Sequence, residues 1–332
     1  MACKVAVVGV TGAVGQEFLA ILDQRKFPAT GYKFLASARS AGKKMTFQGK
    51  EYAIEELTEN SFQGIDIALF SAGASISKKF APAAVKAGAV VVDNSSAYRM
   101  DPAIPLVIPE INPQDIEQHN GIIANPNCST IIGITPVWPL HQYNPIKRMV
   151  VSTYQAASGA GAQAMEELKN QTRDVLDGKP PVPKIFKVPY AFNCFSHNSD
   201  IGANGYNVEE MKMVKETAKI FHDESIRITC TCVRIPVLRA HCESINLEFT
   251  QPIKESEVFD ILMRAPGVTV MDDRVNNRFP MPLDATGNDD VYVGRIRRDE
   301  SLDGRGINLW VSGDQLRKGA ALNAIQIAEK LL

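Results

Sequence analysis

Residues 4–15 read Lys-Val-Ala-Val-Val-Gly-Val-Thr-Gly-Ala-Val-Gly, a valine-rich run that ends in a glycine-rich turn. The run fits a strand buried on both faces, and the apolar Phe18, Leu19, Ile21 and Leu22 behind it recur at helical spacing. Glycines let the backbone turn sharply and approach a pyrophosphate, whose charge is stabilised at the N-terminus of the next helix. The segment therefore predicts a strand–turn–helix unit that binds a dinucleotide.

Further apolar runs alternate with helical stretches over the rest of the first 130 residues. Strands are predicted at 32–36, 65–70, 89–93 and 121–124, and helices at 16–25 and 77–87. Strands that alternate with helices connect through right-handed crossovers. This part of the chain therefore predicts an α/β fold, a Rossmann-type doubly wound parallel sheet.

The pattern changes after about residue 130, where strand-like segments are separated by long connections. Strands are predicted at 149–155, 228–235, 243–250, 291–297 and 307–312, and helices at 162–177 and 209–222. The mixture favours an α+β domain with a mostly antiparallel sheet, and an irregular segment at 178–205 that serves as an interface arm.

Residues 314–332 are predicted to form an amphipathic helix with Leu316, Ala320, Ile327 and Leu331 near one stripe.

Composition excludes several classes of protein. The 36 basic and 37 acidic residues leave a formal charge of −1, which argues against a protein that coats nucleic acid or anionic membrane. No apolar run approaches the ~20 residues of a membrane span, and the N-terminus has no signal-peptide pattern. Six scattered cysteines are too few for a disulfide scaffold, so we predict reduced thiols and a cytoplasmic protein.

The loop after the second predicted strand bears on the choice of cofactor. NAD-binding folds usually carry an acidic residue there, whereas residues 37–42 read Ser-Ala-Arg-Ser-Ala-Gly. The Arg39 guanidinium and the Ser40 hydroxyl suit a 2′-phosphate, which favours NADP over NAD; the alternative is a solvated loop arginine. Gly73, in the Ser-Ala-Gly that follows a later strand, is a further candidate for a cofactor contact.

Cys128 has the sequence context of a nucleophile. It follows Asn-Pro-Asn and precedes Ser129 and Thr130, which suit the start of a helix. A helix N-terminus favours the thiolate, whereas Cys230 and Cys232 alternate in a strand and fit small core residues. A thiolate needs an acid–base partner, and the five histidines at 119, 141, 197, 222 and 241 leave that choice open.

Taken together, the ordered motifs resemble the aspartate-semialdehyde dehydrogenase family. The matching segments run nearly end to end, at 9–15, 35–42, 93–99, 125–130, 152–161, 209–212, 234–241 and the terminal helix. The resemblance implies an NADP-binding domain of residues 1–130 plus 314–332. It also implies an inserted catalytic and dimerisation domain, residues 131–313, and a homodimer.

The resemblance also implies a reaction. It is the NADPH-dependent reductive dephosphorylation of L-aspartyl-4-phosphate to L-aspartate 4-semialdehyde, with release of phosphate, in lysine, threonine and methionine (diaminopimelate) biosynthesis. Cys128 matches the nucleophile that forms the thioester, and His241 the acid–base residue that manages the proton on the hemithioacetal oxygen. Gln155 matches the residue that orients the intermediate, Arg234 the one that binds the α-carboxylate, and Glu209 the one near the amino group.

Other positions match the family's phosphate and cofactor sites. Arg99 and Lys212 match the phosphate-binding pair, although without the family Glu209 and Lys212 would be interpreted as an exposed helical ion pair. No metal is implied. The cofactor-binding matches are Gly9, Thr11, Gly12, Ala13, Val14, Gly15, Ser37, Arg39, Ser40, Gly73, Ser158, Gly159 and Gln315.

Three alternatives are less consistent with the residues. N-acetyl-γ-glutamyl-phosphate reductase shares the fold and chemistry, but typically has Gly-Cys-Tyr where this chain has Asn-Cys-Ser. A phosphorylating dehydrogenase of the glyceraldehyde-3-phosphate type has Ser-Cys-Thr-Thr-Asn and normally uses NAD. A non-catalytic NADP-binding sensor would not need Cys128, Gln155 and His241 together.

Overall fold

The computed structural model describes residues 3–332, and the chain separates into two compact units. The first unit runs to Asn127 and also includes Ala320–Leu332. The second unit is Cys128–Gly319, so that Cys128 belongs to the second unit and Asn127 to the first.

The first unit is built on one sheet with the strand order β3-β4-β2-β1-β5-β6-β7. All neighbouring strands are parallel except β3 and β4. Its elements are β1 (Cys3–Val8), α1 (Ala13–Gln24), β2 (Ala29–Ala36), β3 (Lys44–Phe47), β4 (Lys50–Glu56), β5 (Ile67–Phe70), α2 (Ala74–Lys86), β6 (Val90–Asp93), β7 (Ile122–Ala124) and the last helix of the chain, Leu322–Glu329. The predicted Rossmann-type sheet is confirmed.

The valine-rich run forms β1 because both faces of this strand are covered. Val7 belongs to the same buried apolar cluster as Phe18 of α1 and Ile325 of the last helix. Val8 belongs to a second cluster with Phe80 of α2. Alternate residues of a strand point to opposite faces, so only a continuous apolar run serves a sheet covered on both sides.

The β3–β4 hairpin was missed in the sequence. Its strands alternate charged and partly buried residues, and they are joined by Gln48 and Gly49. Both joining residues have positive φ, 48° and 72°, as a type I′ turn requires. A two-residue connection with glycine in second position was the available signal.

The second unit contains a sheet with the strand order β12-β13-β14-β11-β8-β10-β9. Only β8–β10 and β12–β13 pair in parallel, so the predicted α+β domain with a mostly antiparallel sheet is confirmed. Its elements are α3 (Cys128–Tyr143), β8 (Ile146–Gln155), α4 (Ala162–Leu176), β9 (Phe195–Ser196), α5 (Val208–Phe221), β10 (Arg227–Arg234), β11 (His241–Phe249), α6 (Glu255–Leu262), β12 (Val268–Val270), α7 (Pro282–Ala285), β13 (Val291–Arg298) and β14 (Gly306–Gly313).

The register of three neighbouring strands brings polar residues to one edge of this sheet. Arg234, at the end of β10, is paired with Gln155, at the end of the parallel β8. The antiparallel β11 begins at His241, and its second residue, Cys242, is paired with Tyr154. Arg234, Gln155 and His241 therefore meet at this edge, although up to 86 positions of sequence separate them.

The prediction of one amphipathic helix over 314–332 was wrong. The segment begins with a turn in which Asp314 Oδ1 accepts the Leu316 N–H at 2.9 Å, and continues as a π-helical turn, Arg317–Ala321, before the last helix. Residues 314–325 are all buried, including Lys318 and Asn323. The polar residues that suggested a solvent-facing side are therefore enclosed.

None of the helices within residues 3–332 has the length and apolar character needed to cross a membrane.

Candidate active site

Cys128 is the first residue of α3 and is partly exposed. The N–H groups and the dipole at the start of a helix stabilise a thiolate there. Gly319 comes close to this thiol, since a Cβ built on it would lie 3.0 Å from the Cys128 Cβ. A side chain at position 319 would therefore crowd Cys128 where the C-terminal turn approaches it.

Gln155 connects the start of α3 to α5. Its Nε2 donates to the Ser129 hydroxyl at 3.0 Å and to Glu209 Oε1 at 3.1 Å. The other Glu209 oxygen, Oε2, accepts from Lys212 Nζ at 2.8 Å. Glu209 is only 4% exposed, so the Glu209–Lys212 pair is not the solvated surface pair that its spacing suggests.

His241 is fully buried, and its ring orientation is set by the main chain. Its Nδ1 accepts the Ala156 N–H at 3.0 Å, while Nε2 has no hydrogen-bond partner within residues 3–332. Burial, reinforced by the nearby Arg234, lowers the pKa of His241 to about 3. The ring is therefore neutral, and because Nδ1 is an acceptor, its single proton is on Nε2.

Arg234 is buried beside His241, with 4% of its surface exposed. Its Nη1 donates to the Ala156 carbonyl at 3.0 Å, and its Cζ lies 5.9 Å from the centre of the Phe186 ring. Nε has no hydrogen-bond partner in the described part of the chain. The guanidinium is anchored at one end and keeps donors for a ligand.

Gly159 leaves space in front of these two side chains. A Cβ on Gly159 would lie 3.1 Å from His241 Nε2 and 3.0 Å from Arg234 Nη1. The preceding Ser158 accepts a hydrogen bond from Gln315 Nε2, and Gln315 Oε1 accepts the Ala240 N–H at 2.8 Å. Three predicted cofactor residues of the second unit, Ser158, Gly159 and Gln315, thus lie next to the cluster around His241.

In the first unit, the glycine-rich turn lies where the strand order reverses between β1 and β5. Gly9 has φ of 84°, and a Cβ there would lie 2.4 Å from the Ser71 carbonyl oxygen. A Cβ on Gly15 would lie 2.2 Å from the Gly9 carbonyl oxygen. Gly12 precedes α1 without a side-chain cap, which leaves the first N–H groups of the helix available to an anion. This turn fits a pyrophosphate.

The remaining cofactor positions lie at the same end of the sheet. Thr11, Ala13 and Val14 complete the turn and the start of α1, and Gly73 immediately precedes α2 with φ of 89°. Ser37, Arg39 and Ser40 follow β2, where Ser37 and Arg39 are exposed and Ser40 is buried. Residues 37–42 thus supply a cation and hydroxyl groups and contain no acidic side chain.

The two predicted phosphate-binding residues belong to different units. Arg99, in the first unit, is 7% exposed and donates from Nε to the Asn125 carbonyl at 2.9 Å and from Nη2 to the Asn94 carbonyl at 2.8 Å. Lys212, in the second unit, pairs with Glu209 and keeps 26% of its side chain exposed.

Glu243 is a buried acid that no sequence motif singles out. It follows His241 by two residues on β11, is 0% exposed, and neither carboxyl oxygen has a hydrogen-bond partner among residues 3–332. Burial raises its pKa well above the usual range, with smaller contributions from Cys232 and Glu209. Gly133 of α3 makes room for it, since a Cβ there would lie 2.4 Å from Oε2.

We expect Glu243→Gln to stabilise the protein increasingly as pH rises from 5 to 8. The folded state raises the pKa of Glu243 above its value in the unfolded chain, so this group lowers stability as pH rises, by at most about 1.4 kcal/mol per pH unit. Glutamine has no titratable proton and removes the slope. Thermal unfolding of both proteins at pH 5, 6, 7 and 8 measures the effect.

The matched control is Glu248→Gln on the same strand. The hydrogen bond from Lys147 lowers the pKa of this accessible carboxyl, so its replacement gives no stabilisation that grows with pH. If the melting temperatures of wild type and Glu243→Gln change equally with pH, Glu243 is ionised in the folded protein.

His197 and Ser199 were also missed as site residues. They lie in the irregular segment 178–205, which has few periodic apolar positions to predict contacts. His197 Nε2 lies 2.9 Å from Arg234 Nη2, and Ser199 Oγ accepts the Glu209 N–H at 3.1 Å. The sequence offered one signal for this site, which is that His197 is one of the five histidines of the chain.

Comparisons with known proteins agree with this architecture. Residues 4–119 match the family model for the NAD-binding domain of semialdehyde dehydrogenases, and residues 137–318 match the model for their dimerisation domain. These matches define a two-domain oxidoreductase with a nicotinamide-cofactor domain and a dimerisation domain.

Full-length relatives identify the family more narrowly. The chain is 58% identical to aspartate-semialdehyde dehydrogenase of Synechocystis sp. over 99% of this chain and 97% of that one. It is 53% identical to the Aquifex aeolicus enzyme of the same name over 100% and 98%. The chain belongs to the aspartate-semialdehyde dehydrogenase family, which confirms the resemblance drawn from the sequence.

Solved structures give the same result. Aspartate semialdehyde dehydrogenase II from Vibrio cholerae, complexed with ASA, matches with a TM-score of 0.97 and 45% identity, covering 100% of this chain and 98% of that one. The Candida albicans enzyme with NADP matches with a TM-score of 0.76 and 25% identity, over 100% and 98%.

Proposed function

We propose that this enzyme converts L-aspartyl-4-phosphate to L-aspartate 4-semialdehyde with NADPH, through a thioester on Cys128. The observation that carries the proposal is the buried network of the second unit, in which Gln155 connects Ser129, next to Cys128, with Glu209. The structure of the Vibrio cholerae relative in complex with ASA supports a semialdehyde as the product of this reaction.

In the first step the Cys128 thiolate attacks the acyl carbon of the acyl phosphate. A carbon–sulfur bond forms, the carbon–oxygen bond to phosphate breaks, and phosphate leaves with the electron pair. The helix N-terminus stabilises the thiolate before the attack. Lys212 and Arg99 supply the positive charge that the phosphate needs.

In the second step the thioester is reduced, and a nicotinamide cofactor held at the glycine-rich turn would supply the hydride. His241 donates a hydrogen bond from Nε2–H to the thioester oxygen, and this hydrogen bond stabilises the negative charge that the oxygen gains. When the carbonyl forms again, the carbon–sulfur bond breaks and the Cys128 thiolate leaves. No net proton transfer is required, so the neutral ring acts by donation alone.

Substrate recognition follows from the charges around the cluster. Arg234 is a planar donor suited to the α-carboxylate, and Glu209 is a buried carboxylate suited to the ammonium group. Gln155 donates to both Ser129 and Glu209, which orients the intermediate between the nucleophile and the amino-group site.

The proposal includes NADP as cofactor, bound by the glycine-rich turn with Arg39 and Ser40 at the 2′-phosphate. Residues 1–130 plus 314–332 would form the cofactor domain, and residues 131–313 the catalytic and dimerisation domain of a homodimer. The two compact units and the matched dimerisation model support a division into two such domains, although the boundaries between the units fall after Asn127 and after Gly319. The enzyme would act in the cytoplasm, in the lysine, threonine and methionine (diaminopimelate) route, without nucleic-acid or membrane partners.

The test is a phosphate-dependent reduction of NADP⁺ with aspartate semialdehyde, run beside N-acetylglutamate semialdehyde. We expect activity with the first substrate only, because Glu209 recognises a free ammonium group that the acetylated compound lacks. Replacing NADP⁺ by NAD⁺ should lower kcat/KM. Faster turnover of the acetylated substrate, or turnover that does not depend on phosphate, would contradict the proposal.

A further inference from the structure

The irregular segment 178–205 supplies a wall of the Arg234 site. Its two-residue strand β9 pairs with the end of β10, where Phe195 is opposite Arg234. His197, which follows this strand, donates its main-chain N–H to the Cys232 carbonyl at 2.9 Å. Main-chain hydrogen bonds therefore hold His197 beside the guanidinium, independently of either side chain.

The side chains of His197 and Arg234 meet as acceptor and donor. Arg234 Nη2 lies 2.9 Å from His197 Nε2, and an arginine nitrogen only donates. Burial of the ring lowers the pKa of His197 to about 4, with Glu209 acting against this shift and Arg234 with it. A neutral ring that accepts at Nε2 carries its proton on Nδ1.

That proton connects His197 to the amino-group side of the site. Nδ1 lies 3.1 Å from Ser199 Oγ, which in turn accepts the Glu209 main-chain N–H at 3.1 Å. The Ser199 main-chain N–H also points at Nδ1, at 3.3 Å, but the charged Arg234 donor lies closer to Nε2, at 2.9 Å, and this stronger interaction decides the tautomer. Arg234, His197, Ser199 and Glu209 thus form one chain of hydrogen bonds.

These hydrogen bonds leave the Arg234 side chain little rotational freedom. Its Nη1 is held by the Ala156 carbonyl and its Nη2 by His197, so the guanidinium plane is fixed from two sides. Three of its five N–H donors remain for a ligand, and Nε–H is buried without a hydrogen-bond partner in residues 3–332. A planar carboxylate is the acceptor that such a fixed fork fits.

We propose that His197 is a positioning residue that holds Arg234 in place for the substrate α-carboxylate. Through Ser199, His197 also fixes the position of Arg234 relative to Glu209. This inference rests on the proposed function, in which Arg234 and Glu209 recognise the two ends of the amino-acid group. His197 contacts no reacting atom in this scheme. Its effect is on substrate affinity rather than on the chemical steps.

The experiment compares steady-state constants of wild type, His197→Ala and His197→Gln. His197→Ala should raise the KM for aspartate semialdehyde about tenfold, as expected for one lost charge-assisted hydrogen bond, with kcat within about threefold. The KM values for phosphate and NADP⁺ should stay within about twofold, because Arg234 serves neither. Glutamine retains an acceptor oxygen and should return the KM to within about threefold of wild type.

The matched control is His141→Ala in the same unit. His141 accepts the Ile146 N–H at Nδ1, at 3.1 Å, and stacks on Phe221, so its loss should lower the melting temperature without changing the KM for the semialdehyde. If His197→Ala fails to fold, Ser199→Ala replaces it and should raise the same KM about threefold.

Three results would overturn the inference. They are an unchanged semialdehyde KM in His197→Ala, an equal rise in the KM for phosphate, and no recovery in His197→Gln. In the absence of a foldable His197→Ala, an unchanged KM in Ser199→Ala has the same meaning. Failure of the proposed function is seen separately, as wild-type protein without phosphate-dependent turnover of aspartate semialdehyde.

Discussion

Replacing Cys128 by alanine should lower turnover by about 10⁴-fold or more, while the affinity for NADPH remains that of the wild type. In the proposed mechanism the Cys128 thiolate forms the bond that carries the acyl group, and no other nucleophile takes its place. Cofactor binding is assigned to the glycine-rich turn of the first unit, which this substitution leaves intact. Steady-state rates and a fluorescence titration with NADPH measure the two properties.

Cys194→Ala is the control for thiol chemistry in general. Cys194 is the exposed thiol among the six cysteines, all of which lie in the described part of the chain. Its replacement should leave kcat within about twofold, because it belongs to none of the proposed sites. Residual activity near wild type in Cys128→Ala would show that another residue is the nucleophile.

The second large effect concerns His241. His241→Ala should lower kcat by about 10²- to 10³-fold, the usual loss when one donor to a developing oxyanion is removed. Glutamine can place its side-chain N–H near the position of Nε2, so His241→Gln should retain at least about tenfold more activity than alanine. Steady-state kcat values for the two variants and wild type give this comparison directly.

The pH profile separates donation from general-base catalysis. A group with a pKa lowered to about 3 is already neutral at pH 5, so His241 should produce no ionisation in kcat/KM between pH 5 and 9. A general base near the ordinary histidine value would instead give activity that falls below about pH 6.5. A fall in kcat/KM below about pH 6.5 that is present in wild type and absent in His241→Gln would refute the donor role.

A matched histidine variant controls for loss of fold. His119→Ala removes a ring whose Nδ1 accepts the Gly121 N–H at 3.0 Å in the first unit, remote in sequence from the proposed catalytic residues. It should leave kcat and the pH profile of the enzyme unchanged. Equal losses in His119→Ala and His241→Ala would indicate that lowered stability, rather than lost donation, explains both.

Local patterns were sufficient for several parts of the molecule. The valine-rich β1 and the turn around Gly9 and Gly15 follow from strand burial and from backbone contacts that exclude a Cβ. The start of α3 at Cys128 follows from turn and capping residues that precede and follow it. The signal for each of these features lies within about a dozen consecutive residues, so the sequence indicates them directly.

Other features depended on contacts between distant segments. Glu209 and Lys212 have the spacing of a surface ion pair, and only the packing of α5 near Gln155 buries Glu209. The terminal segment had a helical pattern with polar positions, yet its enclosure hides Lys318 and Asn323 and introduces a π-helical turn. Burial of a polar side chain is set by what packs on it, which periodicity does not report.

Sequence patterns were enough to indicate the doubly wound cofactor fold, the place of Cys128 at a helix start and, through the ordered motifs, the family. Only the folded chain shows that β8, β10 and β11 bring Gln155, Arg234 and His241 to one edge. It also decided the tautomer of His241 and the presence of His197 at Arg234. The physical reason is that strand register and burial arise from long-range pairing, and they set the charge and hydrogen bonds of each side chain.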